Sequence, residues 1–138
     1  MPLNMTKIAF GATSAADLRQ RLEARSLANG GIGEVRLTTR YLPKRLDEMT
    51  GGSLYWIHGN IIIGRSTILG FMENGEGRHW IRLVPSLIPV HAKPKRGHQG
   101  WRYLTEADAP ADLADGEIDD RNEMPAAMLG NLSRMGLV

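Results

Sequence analysis

The sequence predicts an α+β domain: a small, strongly curved antiparallel sheet or β-barrel with one longer and two short helices. Three observations lead there. Short runs of alternating apolar and polar residues recur between residues 3 and 84, the period of half-buried strands. Gly59-Asn60 and Asn74-Gly75 join successive runs as tight turns do. One segment only, residues 14–28, keeps a helical period over several turns.

The elements follow in order. Residues 3–10 partly alternate and read as a first strand, ended by Gly11. Thr13 or Ser14 offers a helix N-cap, with Asp17 three residues after Ser14 in the manner of a capping box. The helix then runs to about Ala28, with Ala15, Leu18 and Leu22 on one stripe and Arg19 and Arg25 off it, and Asn29-Gly30-Gly31 stops it. Residues 34–40 alternate as a second strand. Pro43 breaks the pattern and opens a short helix over 44–50. Residues 53–58 and 61–72 form a hairpin about Gly59-Asn60. Residues 78–84 form a fifth strand, with Arg78, Trp80 and Arg82 on one face and His79, Ile81 and Leu83 on the other. Pro85 and Pro89 bracket a short extended piece. A last short helix is expected over 125–135, with Met128, Leu132 and Met135 aligned.

At 138 residues with 42% hydrophobic content, the chain suits a single domain, 1–138, able to bury about two-thirds of its unfolded surface. The net charge of +2 is uneven. Residues 1–104 hold 15 Lys and Arg against 7 Asp and Glu, whereas residues 105–138 hold 2 against 8. Residues 105–123 thus form an acidic, irregular segment inside the domain. Segregated charge points to a polyanion-facing body with an acidic tail, or to a tail that folds back and neutralises the body.

Several chemistries lack their residues. The absence of cysteine excludes disulfides, thiolate metal sites and a cysteine nucleophile, and fits a reducing compartment. No apolar run reaches the roughly 18 residues that span a bilayer, and the start does not read as a secretory signal. The four histidines, His58, His79, His91 and His98, are too dispersed for a zinc motif, and Lys93, Lys95 and Arg96 lie beside two of them. Neither a nucleophile elbow nor a phosphate loop occurs. The G-x-x-G matches at 30–33 and 97–100 lack the flanking helices of a KH loop. No cofactor is expected.

What remains is cationic patterning interleaved with aromatics. Residues 40–45, Arg-Tyr-Leu-Pro-Lys-Arg, hold three cations and a tyrosine, and residues 93–103 hold four Lys and Arg, a histidine, Trp101 and Tyr103. Guanidinium and ammonium groups neutralise phosphates, and exposed rings stack on bases at roughly 1–3 kcal/mol each. The candidate nucleic-acid-binding residues are Arg36, Arg40, Tyr41, Lys44, Arg45, Arg65, Lys93, Lys95, Arg96, His98, Trp101, Arg102 and Tyr103. The competing reading places the large rings in the core: Trp56 is expected to be core, Trp101 partly buried, and Trp80 is undecided.

Thr39-Arg40-Tyr41-Leu42-Pro43-Lys44-Arg45, Gly51-Gly52-Ser53-Leu54-Tyr55-Trp56-Ile57 and Gly97-His98-Gln99-Gly100-Trp101-Arg102-Tyr103-Leu104 together resemble the bacterial family known as domain of unknown function 1489. The resemblance spans nearly the whole chain. It implies a cytoplasmic bacterial protein and brings no activity with it. The order of elements, a basic Pro-Lys-Arg turn before a glycine-led strand and a hairpin, is more loosely similar to PUA-like and ASCH-type RNA-binding barrels, an analogy of layout.

Three functions stay open. The first is a non-catalytic domain whose basic face binds RNA or another polyanion, with no membrane partner. The second is a small-ligand or enzymatic pocket for a phosphate or carboxylate, gripped by Arg40, Lys44, Arg45 and His98, with Asp47 or Glu48 as base. The third is a protein-interaction module acting through the acidic tail.

Overall fold

The computed structural model describes residues 3–9, 14–28, 34–39, 42–49, 51–73, 75–97 and 100–113. Seven strands, β1 (Asn4–Ile8), β2 (Val35–Thr39), β3 (Ser53–His58), β4 (Ile61–Glu73), β5 (His79–Leu83), β6 (Ile88–Pro94) and β7 (Trp101–Leu104), accompany one α-helix, α1 (Ala15–Ala28), and a 3₁₀ turn at Leu46–Met49. The strand path is open, β2-β5-β4-β3-β1-β7, with β6 pairing β4 off that path. The α+β class therefore holds, as an open sheet among the described residues. The short helix expected over 44–50 is the 3₁₀ turn, and the one expected over 125–135 lies outside the described residues.

Two expectations are corrected. Five strands were expected, and β6 and β7 make seven. Prolines 89 and 94 obscure β6 in the sequence. They are tolerated because β6 is an edge strand, with β4 as its only described strand partner. Pairing is also not uniformly antiparallel: β1 runs parallel to β3, with Met5 opposite Leu54 and Ile8 opposite Ile57.

The local signals act as their chemistry requires. The Ser14 Oγ accepts from the Asp17 amide at 3.1 Å and caps α1. Ala15, Leu18 and Leu22 are buried. Gly59 and Asn60 have φ of 60° and 62°, the left-handed pair that a type I′ turn demands.

Alternation gives the sheet two cores. On one face Met5, Leu54, Trp56, Ile61 and Ile63 pack with α1. On the other, Tyr55, Ile57, Ile62, Val90 and Leu104 cluster with Ala109. Covered on both sides, β3 is buried at all six positions. Residues 105–113, expected to be irregular, carry no strand but are tied down. They leave β7 and reach β6 on another edge, where Asp112 bridges Val90, His91 N bonds Ala111 O at 2.9 Å and Leu113 N bonds Pro89 O at 3.0 Å.

Just before β3, Gly52 packs so tightly against the chain entering β1 that a Cβ would overlap the Leu3 carbonyl oxygen and crowd Met49 O and Asn4 Oδ1. Backbone oxygens cannot swing aside. Gly52→Ala should therefore lower stability by about 3 kcal/mol. Gly51→Ala, strained at φ +82° but with open space around it, should cost about 1 kcal/mol. Urea unfolding of the two variants reads the difference.

Candidate nucleic-acid interface

The edge strand β7 places the two aromatics of the basic segment. Its only described strand partner is β1, with Lys7 opposite Trp101, Thr6 opposite Arg102 and Met5 opposite Tyr103. Alternation sends Trp101 and Tyr103 to the face of Met5, where both rings pack half-buried against the main core. They meet edge to face, centroids 5.0 Å apart at 77°, a favoured aromatic geometry. Arg102 projects on the other face, exposed, with Nη1 bonded to Trp101 O at 3.0 Å.

The Pro-Lys-Arg turn closes over the same edge. The Arg45 amide donates to the Tyr103 hydroxyl at 3.1 Å, and its guanidinium carbon lies 5.7 Å from the Tyr103 ring centroid, within cation–π range. Glu48 steadies that guanidinium with two hydrogen bonds of 2.6 and 2.7 Å. The bond to Arg45 holds the Glu48 carboxyl below its ordinary range. Lys44 is exposed beside Arg45. Residues 95–97 lead into β7 across the β3–β4 turn: Lys95 N bonds Asn60 O at 2.9 Å and Gly97 N bonds Asn60 Oδ1 at 3.0 Å. Arg45, Trp101 and Tyr103 thereby meet at one strand edge, with Lys44 next to Arg45 in the chain, Arg102 on the other face of β7 and Lys95 at the β3–β4 turn, followed by Arg96.

The other nominated residues sit elsewhere. Arg65, on the opposite sheet face, forms a bidentate pair with Asp112 at 2.8 and 2.7 Å and donates to Ser53 Oγ at 2.8 Å. This pair holds the Asp112 carboxyl below its ordinary range. Lys93 Nζ donates to Asp108 O at 2.5 Å. Residues 105–113 thus fold back onto these two cations. Arg36 is remote, on β2 at the far end of the strand path, its guanidinium carbon 4.7 Å from the Trp80 centroid. Arg40, Tyr41 and His98 lie outside the described residues. Trp56 is 4% exposed, and its Nε1 donates to Ser66 Oγ at 3.0 Å. Trp80 is half-buried.

Sequence reasoning did not single out a polar cavity of about 390 Å3 under residues 105–113, lined by Asn4, Ser53, Tyr55, Arg65, Glu106 and Asp112 among others. Its groups largely bond one another. Asn4 donates to Glu106 at 2.9 Å and accepts from the Ser53 amide at 2.8 Å. Burial pushes the Tyr55 phenol up. Asn4, Ser53 and Tyr55 look like ordinary strand in the sequence and Glu106 and Asp112 like part of an acidic segment, and only the fold brings them together with Arg65.

Glu34 carries the clearest electrostatic effect. Arg36 and Arg82 face each other across the β2–β5 ladder, an arrangement that repels unless neutralised. Buried Glu34 does so, at 2.8 and 3.0 Å from Arg82 and 3.2 Å from Arg36. The Arg82 hydrogen bond, and then that from Arg36, brings its carboxyl from 4.5 down to about 2 against the opposing effect of burial. A depressed carboxylate stabilises fully above its ordinary value and loses that contribution as pH falls towards the folded value. Glu34→Gln should therefore cost about 1–2 kcal/mol at neutral pH. The gap between variant and parent should close between pH 4.5 and about 2, as followed by denaturant midpoints.

A family model described as a protein of unknown function, DUF1489, matches residues 5–138. No curated protein and no solved structure matches the chain.

Proposed function

We propose, for a chain that belongs to the DUF1489 family, that it is a non-catalytic domain binding single-stranded or loop RNA along the β7 edge. The observation that carries this reading is the Trp101–Tyr103 ring pair with Arg45 over it, on a strand edge flanked by Lys44, Lys95, Arg96 and Arg102. Half-buried rings are held rigid from below and keep surface for a base. Cations on both sides of the rings match a backbone that carries one charge per nucleotide. The PUA-like likeness contributes one element to the reading: a basic Pro-Lys-Arg turn set beside the binding strand.

The pairing of Arg65 and Lys93 with residues 105–113 fits the same reading. It leaves the β7 edge with Trp101, Tyr103 and their neighbouring cations, whereas the Arg36–Trp80 pair on β2 and β5 is tied to Glu34. An anion-gripping pocket built on Arg45 fits less well, because Glu48 already occupies that guanidinium on one side.

Titration of the protein with a ten-nucleotide oligouridylate, followed by tryptophan emission, tests the proposal. Quenching with micromolar affinity at low salt is expected. Affinity should fall with log salt at a slope matching about three to five phosphate contacts. Tyr103→Ala should weaken binding about tenfold, the loss of one stacking platform, while Lys44→Ala combined with Arg96→Ala should reduce the salt slope by about 2. Millimolar binding that does not respond to salt would overturn the reading.

A further inference from the structure

The polar cavity of about 390 Å3 beneath residues 105–113 is framed by one continuous run of hydrogen bonds. Glu106 Oε2 accepts from Asn4 Nδ2 at 2.9 Å, and Asn4 Oδ1 accepts from the Ser53 amide at 2.8 Å. Ser53 Oγ accepts from Arg65 Nη1 at 2.8 Å, and Arg65 closes on Asp112 at 2.8 and 2.7 Å. The sheet sets Tyr55 inside this run, two residues beyond Ser53 on β3 and directly opposite Arg65 on β4.

Two groups on the cavity are left over. Tyr55 is 4% exposed, and its ring packs with Ile57, Ile62, Val90 and Leu104. Its hydroxyl has no hydrogen-bond partner among the described residues, yet it is not sealed into the core and opens on the cavity that Tyr55 lines. A phenylalanine would serve the packing equally well. The hydroxyl is therefore a polar group in a buried residue with both its donor and its acceptor capacity unused, which calls for a partner. Glu106 is the second leftover: its Oε1 carries no bond among the described residues. Arg65 is the one cation among the described lining residues and is committed to Asp112, so the two carboxylates leave one negative charge in excess.

These leftovers select a ligand. An anion would meet Glu106 and find Arg65 occupied. A neutral molecule would leave the Glu106 charge uncompensated. A divalent ion asks for more oxygens, and no group of three metal-ligating side chains occurs among the described residues. A primary ammonium brings one positive charge and three N–H donors. We infer that this cavity binds a small primary amine in its ammonium form, its charge against Glu106, one N–H given to the Tyr55 hydroxyl and its alkyl body along Ala109, Pro110 and Ala111. The volume falls at the low end for ligand pockets.

The inference stands apart from RNA binding at β7. It is tested by nuclear magnetic resonance titration of the isotopically labelled full chain with butylammonium, butanol and butyrate. Butylammonium should bind with a dissociation constant below about 5 mM, shifting the amides of Ser53, Tyr55, Glu106 and Asp112 most. Butanol and butyrate should each bind at least about tenfold more weakly. Glu106→Gln, at an exposed position, keeps an oxygen for Asn4 and should weaken butylammonium about tenfold. Tyr55→Phe should weaken it about three- to fivefold and leave the urea midpoint where it was, because the hydroxyl bonds none of the described residues. Butanol binding as tightly as butylammonium, unchanged affinity in a folded Glu106→Gln variant, a lowered urea midpoint in Tyr55→Phe, shifts centred elsewhere, or no saturation by about 50 mM would each overturn it.

Discussion

One strand has to serve three ladders, and the rest of the architecture follows from how it bends. The first half of β4 pairs with β3 and β6, and its second half with β5. A flat strand of thirteen residues could not turn from one set of partners to the other. Two register slips, at Ile63 against β3 and at Leu69 against β5, add the local twist that bulges provide. Leu69 stands 47% exposed for that reason, as the extra residue at a slip and not as a misplaced core leucine. Gly64 lets Leu87 come so close that a Cβ would lie 2.6 Å from its Cδ1. This contact lets β6 and the turn before it fold over the bend.

The bend also explains the distribution of charge. It sends β5 and β2 away from β1 and β7, so the cations of the chain separate into distinct groups. Arg36 and Arg82 leave with β2 and β5 and share Glu34. Arg65 stays on the face crossed by residues 105–113 and meets Asp112. Lys44, Arg45 and the β7 residues remain at the opposite edge. The positive charge of the described residues is thus divided by topology among separate parts of the sheet.

Much of the local structure was legible because its causes are local. Ser14 caps the helix it precedes, Gly59-Asn60 turns the hairpin it joins, and alternation in β2 and β5 sorts Leu37 and Ile81 from Arg36 and Arg82. Long-range pairing was not legible. Nothing in residues 3–10 announces that Met5 will lie beside both Leu54 and Tyr103, because the choice depends on how the intervening chain wraps. The same holds for the candidate interface. Arg45 and Tyr103 could be named from their composition, but their contact depends on β7 adding to β1. Lys7 read as an ordinary strand residue, and only the registers of β1 with β3 and β7 set it opposite two tryptophans. β6 was hidden because two prolines argue against a strand in general and do not forbid an edge.

The position of β1 has a kinetic consequence. It takes one neighbour from the middle of the chain and the other about a hundred residues later, where Asn4 meets Leu104. Of the described strands it emerges before the others and waits longest, with one flank open until β7 leaves the ribosome. Contacts of such sequence separation slow folding because loop closure must precede them. The β3–β4–β5 meander can assemble early from near neighbours, so the sheet is expected to grow outward from that hairpin and to be completed last at the seam where the two ends of the described chain meet.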